Sequence, residues 1–173
     1  MRIPVLSVVI AAACLSGGIA SAAPNSKSFT DQGFVIQATE DGMAEVAIAN
    51  MAIAKSSSSD VKAFAARMVQ DHGNANSELA SLGRSKHLRV PARINAKHQA
   101  TLAMLQQQSG ASFDAAYAKL MVADHAKAIA LFTQESQSAD ADFAAFANKI
   151  LPTLQAHKQM ADDLSAKVGS PAT

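Results

Sequence analysis

Val61, Ala65, Met68, His72, Ala75, Leu79 and Leu82 advance by four and three residues in turn, and all but the histidine are apolar. Such spacing puts one continuous stripe on one side of an α-helix, where it can be buried only against other helices. The pattern recurs in Phe143, Ala147, Ile150, Leu154, His157, Ala161, Leu164 and Val168, and again in Ala118, Met121, His125, Ala128 and Phe132. Composition agrees: 49% of the 173 residues are hydrophobic, much of that alanine, with no Trp, 8 Gly and 5 Pro. That balance favours closely packed helices over sheets and predicts an all-α domain of ordinary single-domain size.

Punctuation divides the chain into five helical segments. The first spans 29–55, opened by Ser28 and closed by the serines at 56–59; the second starts from Ser57 or Ser59 and runs to about His87. Asn95 caps a shorter third helix that ends at Ser109-Gly110 and includes Ile94, His98, Leu102 and Leu105 as its seam. Ser112 opens a fourth, to about Ser136, and the fifth covers 139–168, where Pro152 predicts a kink or a one-turn break. The domain is thus expected over 29–168, with a tail at 169–173.

The N-terminus reads as a targeting segment. Arg2 follows Met1, residues 3–15 form an apolar run too short to cross a bilayer, and Ala20-Ser21-Ala22 offers the small residues a signal peptidase needs. Residues 1–22 are therefore expected to be a signal peptide and 23–28 a linker, leaving an exported periplasmic or envelope domain with no transmembrane span. Cys14, the only cysteine, lies in this segment, so the mature domain has no disulfide. A lipoprotein reading, with Cys14 acylated, is weaker because Ala11 stands where Leu is expected.

Several function classes drop out. The formal net charge is +1 and Lys and Arg are scattered among Asp and Glu, so nothing forms the basic stripe that nucleic acid requires. There is no Gly-rich phosphate loop, no Gly-x-Ser-x-Gly turn and no thiol nucleophile in the mature chain.

What stands out is histidine on the seams. His72, His98, His125 and His157 are predicted to face the core from four helices, and His87 to be a surface residue. Met68-Val69-Gln70-Asp71-His72 also echoes Met121-Val122-Ala123-Asp124-His125, with Phe64 and Tyr117 four residues ahead of each Met. The same offset pairs Glu45 with His98, as a duplicated helical hairpin would, with Glu45, His72, His98 and His125 at corresponding heights.

Residues 34–45, with Gly42-Met43-Ala44-Glu45, then residues 61–68 leading to Asp71-His72, Ser109 to Asp114 with Tyr117, Asp124-His125, and Leu151-Pro152-Thr153-Leu154 with His157 together resemble an uncharacterised family. It is a family of exported bacterial proteins, a domain of unknown function with a ferritin-like bundle, often labelled predicted outer membrane protein. The resemblance covers about 29–167 and implies a ferritin-like up-and-down four-helix bundle with an additional shorter helix, in the cell envelope. It implies no reaction, and no barrel-like strand pattern supports the label.

Neutral imidazoles on facing helices are common ligands for zinc, copper or iron. The expected metal set is Glu45, His72, His98, His125 and His157, with Asp71 and Asp124 in supporting positions or as alternative ligands. Met68 and Met121, one turn before His72 and His125, add thioethers suited to Cu(I), or are simply core packing. A ferritin-type di-iron site is not expected, because Val69, Val122, Asn95 and Leu154 stand where Glu-x-x-His would need Glu. Two other readings stand beside metal binding: a metal-free structural or partner-binding module with a buried polar network, and a metal-dependent oxidase or hydrolase. A homo-oligomer or an envelope protein partner is left open.

Overall fold

Thr30, in extended backbone, accepts the Gly33 N–H at 3.1 Å and opens α1 (Asp31–Lys55). It takes the capping role expected of Ser28, which lies outside the residues 30–169 that this computed structural model describes. Also outside them are the expected signal peptide, Cys14, the linker and residues 170–173. Ser58 caps α2 (Ser59–Ser85) by accepting from Val61, and Asn95 caps α3 (Ala96–Gln106) by accepting from His98. α4 (Gly110–Glu135) starts two residues before Ser112, and α5 is Ala141–Gly169. No strand occurs among the described residues.

α2 stops by a hydrogen-bonded reversal. His87 takes φ 57, its N–H donates to the Arg84 carbonyl, and the Leu88 N–H reaches back to Gly83 at 2.9 Å. This satisfies carbonyls that the helix end leaves open, with histidine in the left-handed position where glycine is usual. His87 is exposed, as expected of it. α5, in contrast, continues through Pro152 without a break. Pro152 and Asn148 are both exposed, so water can serve the carbonyl that proline leaves without a donor.

The long helices form a ring in the order α1, α2, α5, α4, with α1/α2 and α4/α5 the most closely packed pairs. α2 and α4 run the same way, since Phe64 meets Tyr117 (6.0 Å between ring centres) and His72 meets His125 (5.5 Å). The connection between them must therefore return along the bundle, and α3 is that crossover, as in ferritin-like topology. Its only buried residue is Leu105. With 11 residues against 25 in α1, α3 is no structural counterpart of α1, so the expected matching heights are seen for the α2/α4 pair, and α1 and α3 are not matched helices.

Two apolar clusters fill the interior. One gathers Ile48, Phe64, Met68, Phe113, Tyr117, Met121 and Leu164; the other Phe34, Val35, Leu79, Phe132, Phe143, Phe146 and Leu154. Phe34 meets Phe132 edge-on at 5.0 Å. Each large apolar side chain so buried contributes about 1.5–3 kcal/mol. Between the two clusters each long helix carries a buried ionisable residue, Glu45, His72, His125 or His157, with Thr39 also buried on α1.

Candidate metal centre

The register of α1 on α2 sets one edge of this layer. Gly42 faces Asn76 so closely that a methyl group there would collide with the Asn76 amide, and at Gly83 a methyl group would meet Val90 and crowd Val35. Glycine permits that approach without displacing the facing side chains. One turn from Gly42 and one turn from Asn76, Glu45 and His72 are brought face to face, with Oε2 2.9 Å from Nδ1.

The three rings sit 5.2 to 5.5 Å apart, centre to centre, in a nearly equilateral triangle. All three are buried, His125 completely. Each has one nitrogen engaged on its outer side: His72 Nδ1 with Glu45, His157 Nε2 with Asp71 Oδ2 at 2.9 Å, and His125 Nδ1 with the Met121 carbonyl at 2.9 Å. Carboxylates and carbonyls only accept, so those nitrogens carry the protons. The other nitrogens, His72 Nε2, His157 Nδ1 and His125 Nε2, are left with lone pairs when the rings are neutral.

Two of those free nitrogens face each other. His72 Nε2 and His157 Nδ1 are 3.3 Å apart, and one ring nitrogen from each of the three histidines falls within 4.8 Å of the others. His125 Nε2 is buried with no hydrogen-bond partner. Two lone pairs at 3.3 Å repel unless a proton or a cation lies between them.

Charge distribution shows how a proton is shared. Burial pushes the Glu45 carboxyl up, but His72, with His125 and His157 behind it, holds it below the ordinary carboxylate range. Burial likewise pulls the His72 imidazole down, and Glu45 more than reverses this, so His72 is raised above 6.5. For His125 burial prevails and lowers the pKa; for His157 it prevails over Asp71 and takes the value to about 4. His72 is thus the cation of the set, and one proton completes a chain from Glu45 through His72 and His157 to Asp71. That proton leaves His125 Nε2 unserved.

The remaining expected site residues go elsewhere. His98, on α3, pairs through Nε2 with Asp41 Oδ1 at 2.8 Å and is not brought to the three rings. Burial raises the Asp41 carboxyl in spite of that contact. Asp71 supports a ring, though that of His157 on the adjacent helix α5 and not its neighbour His72. Asp124 pairs with Lys127 at 2.8 Å near the surface and bonds to no imidazole. Met68 and Met121 pack in the apolar cluster around Tyr117, whose own hydroxyl is buried without a partner.

Sequence reading missed Asp41, whose four-residue spacing to Glu45 was the available signal, and Glu135. That carboxyl is buried at the end of α4, where burial and nearby Asp31 push it up to about 7.

The family described as a domain of unknown function, DUF4142, matches residues 16–164. The chain belongs to it. The match bears out the resemblance drawn from the five motifs and spans nearly all of the DUF4142 fold described above. No curated protein matches this DUF4142 chain in sequence. Among solved structures, "CopM in the Cu(II)-bound form" is similar at TM-score 0.68 and 18% identity, covering 80% of this chain and 97% of that one. A DUF305 fragment from Deinococcus radiodurans is similar at TM-score 0.71 and 13% identity, covering 79% and 95%. At such identities the likeness is one of fold. No helix among the described residues is long and apolar enough to cross a membrane.

Proposed function

We propose that this chain is an exported envelope protein that binds one late first-row transition-metal ion, Cu(II) or Zn(II), through His72, His125 and His157. Glu45 and Asp71 hold the His72 and His157 rings in register. The observation that carries this reading is the unpartnered, buried Nε2 of His125, on a ring whose centre lies 5.4 to 5.5 Å from two other imidazoles, with one nitrogen of each ring within 4.8 Å of the others. A proton satisfies two of the three nitrogens; an ion satisfies all of them.

The spacing of the His72 and His157 nitrogens fits an ion of this size. With metal–nitrogen bonds of about 2.0–2.1 Å, two ligands of a tetrahedron stand about 3.3 Å apart. His72 Nε2 and His157 Nδ1 are separated by 3.3 Å. Three imidazoles suit copper or zinc, and the usual affinity order puts Cu(II) first. The fold shared with a protein solved in a Cu(II)-bound form makes Cu(II) the first ion to test. Each ring's outer hydrogen bond to a carboxylate or carbonyl is the support that metal-ligating histidines generally have. The apolar run and small-residue site of residues 1–22 support export.

Calorimetric titration of metal-stripped protein with Cu(II) and Zn(II) is the test. One ion per chain is expected, with Kd below about 1 µM. His125→Ala weakens binding by about a hundredfold or more, a cost of about 2.7 kcal/mol. Wild-type protein that takes up neither ion, or a folded His72→Ala/His125→Ala variant that binds as well as wild type, overturns the reading. A metal-free network holding the bundle in register is then what remains, since the Glu45–His72–His157–Asp71 chain is complete with one proton.

A further inference from the structure

Among the described residues the protein supplies three donors to this centre and no fourth. Glu45 and Asp71 are engaged on the outer nitrogens of their rings, and the group that can surround an ion contains His72, His125 and His157 alone. A four-coordinate ion bound there keeps one position for something else.

Two spaces adjoin the rings. One, bounded by Glu45, His72 and Leu79 among others, is about 30 Å³, room for a water. The other is a cleft of about 280 Å³ between α2 and α5, with both His72 and His157 in its wall. Ala75, Ile150 and Leu154 line it with apolar surface, and Asn74 and Thr153 add polar groups. α2 and α5, like α1 and α4, meet more sparsely than the α1/α2 and α4/α5 pairs, which leaves room for a gap between them. Glu78 on α2 and Lys149 on α5 join across it at 2.7 Å.

We infer that the α2/α5 cleft is a ligand port of the metal centre, giving a small monodentate nitrogen donor of the azide or imidazole class access to the position the protein leaves open. The inference rests on the metal reading above. The carboxylates at the cleft are matched by cations, Asp71 by Arg67 at 2.8 Å and Glu78 by Lys149, so the cleft does not repel an anion as a bare acidic pocket would. The Glu78–Lys149 pair spans the mouth with both side chains partly in solvent, and such exposed pairs break at little cost.

Azide added to the Cu(II)-loaded protein is the probe, read by visible absorption and electron paramagnetic resonance. The port predicts a saturable change in both signals with copper stoichiometry unaltered. Ala75→Trp and Thr153→Phe narrow the cleft from opposite walls without touching a ligand; each keeps copper and weakens azide binding by about tenfold or more. Glu78→Gln/Lys149→Ala, which removes both halves of the exposed pair at the mouth and leaves its net charge unchanged, speeds azide association several-fold with copper affinity unchanged. Copper bound without any azide response in wild type overturns the port and leaves the metal reading intact. So does equal azide affinity in the folded narrowed variants, or an unchanged rate in Glu78→Gln/Lys149→Ala should neither of those fold. Failure of the wild-type protein to take up copper removes the metal reading and the port together.

Discussion

Met68-Val69-Gln70-Asp71-His72 and Met121-Val122-Ala123-Asp124-His125 differ at one residue, lie on parallel helices and place their histidines 5.5 Å apart, yet they end in different chemistry. On α2 the histidine meets a carboxylate from α1 and the aspartate crosses to a ring on α5. On α4 the histidine bonds to the carbonyl one turn back in its own helix and the aspartate turns out to Lys127. Local sequence fixed which face each histidine occupies. The neighbouring helices decided whether it became a shared cation, as His72 did, or a neutral ring with an open lone pair, as His125 did.

Removing the charge that separates the two histidines has the largest expected effect. Glu45→Gln keeps an acceptor for His72 Nδ1 but abolishes the carboxylate that raises the imidazole. A raised histidine contributes stability that is full below its unfolded value of 6.5 and is lost as pH rises through its folded value. Glu45, lowered, contributes stability present above 4.5 and lost as pH falls through its folded value. The pair therefore stabilises the metal-free protein most between pH 4.5 and 6.5. In that window Glu45→Gln costs about 3 kcal/mol, and less above it, measured by urea unfolding at acidic and alkaline pH. Metal must displace the same proton, so wild-type affinity falls as pH drops below the folded value of His72, and in Glu45→Gln that decline moves to lower pH. Superimposable pH profiles for the two proteins would show that His72 is no different from His125.

Asp71→Asn tests the other half of the α2 network. Asparagine still accepts from His157 Nε2, so the ring keeps its tautomer while losing the adjacent charge. Metal affinity is expected to fall about tenfold, the usual scale for a group that orients a ligating histidine. An unchanged Kd in the titration would mean that packing alone holds His157.

How much of this was legible beforehand follows from range. Seam spacing placed His72, His125 and His157 in the core because helical periodicity is a local property; the division of the core into two apolar clusters on either side of them emerges only in the structure. It failed for His98, since a seam on an 11-residue crossover with one buried residue has little to be buried against. Asp71 and Asp124 were indistinguishable for the opposite reason: their difference lies in α5, 86 residues away for the Asp71–His157 bond, and no local pattern encodes that crossing. The α1/α2 approach at Gly42 was equally hidden, because a glycine inside a helical stripe looks like a weakness until Asn76 is seen against it.

Asp124→Asn completes the comparison with the smallest effect. Its partner Lys127 is 65% exposed and three residues away on the same helix, a geometry in which an ion pair contributes at most about 1 kcal/mol. His125 draws its orientation from the Met121 carbonyl, which this substitution does not touch. Metal affinity should therefore stay within about twofold of wild type, set against the tenfold loss for Asp71→Asn in the same titration. Equal losses in the two variants would make the pentapeptides functional twins, and the division between a charged α2 site and a neutral α4 ligand would have to be abandoned.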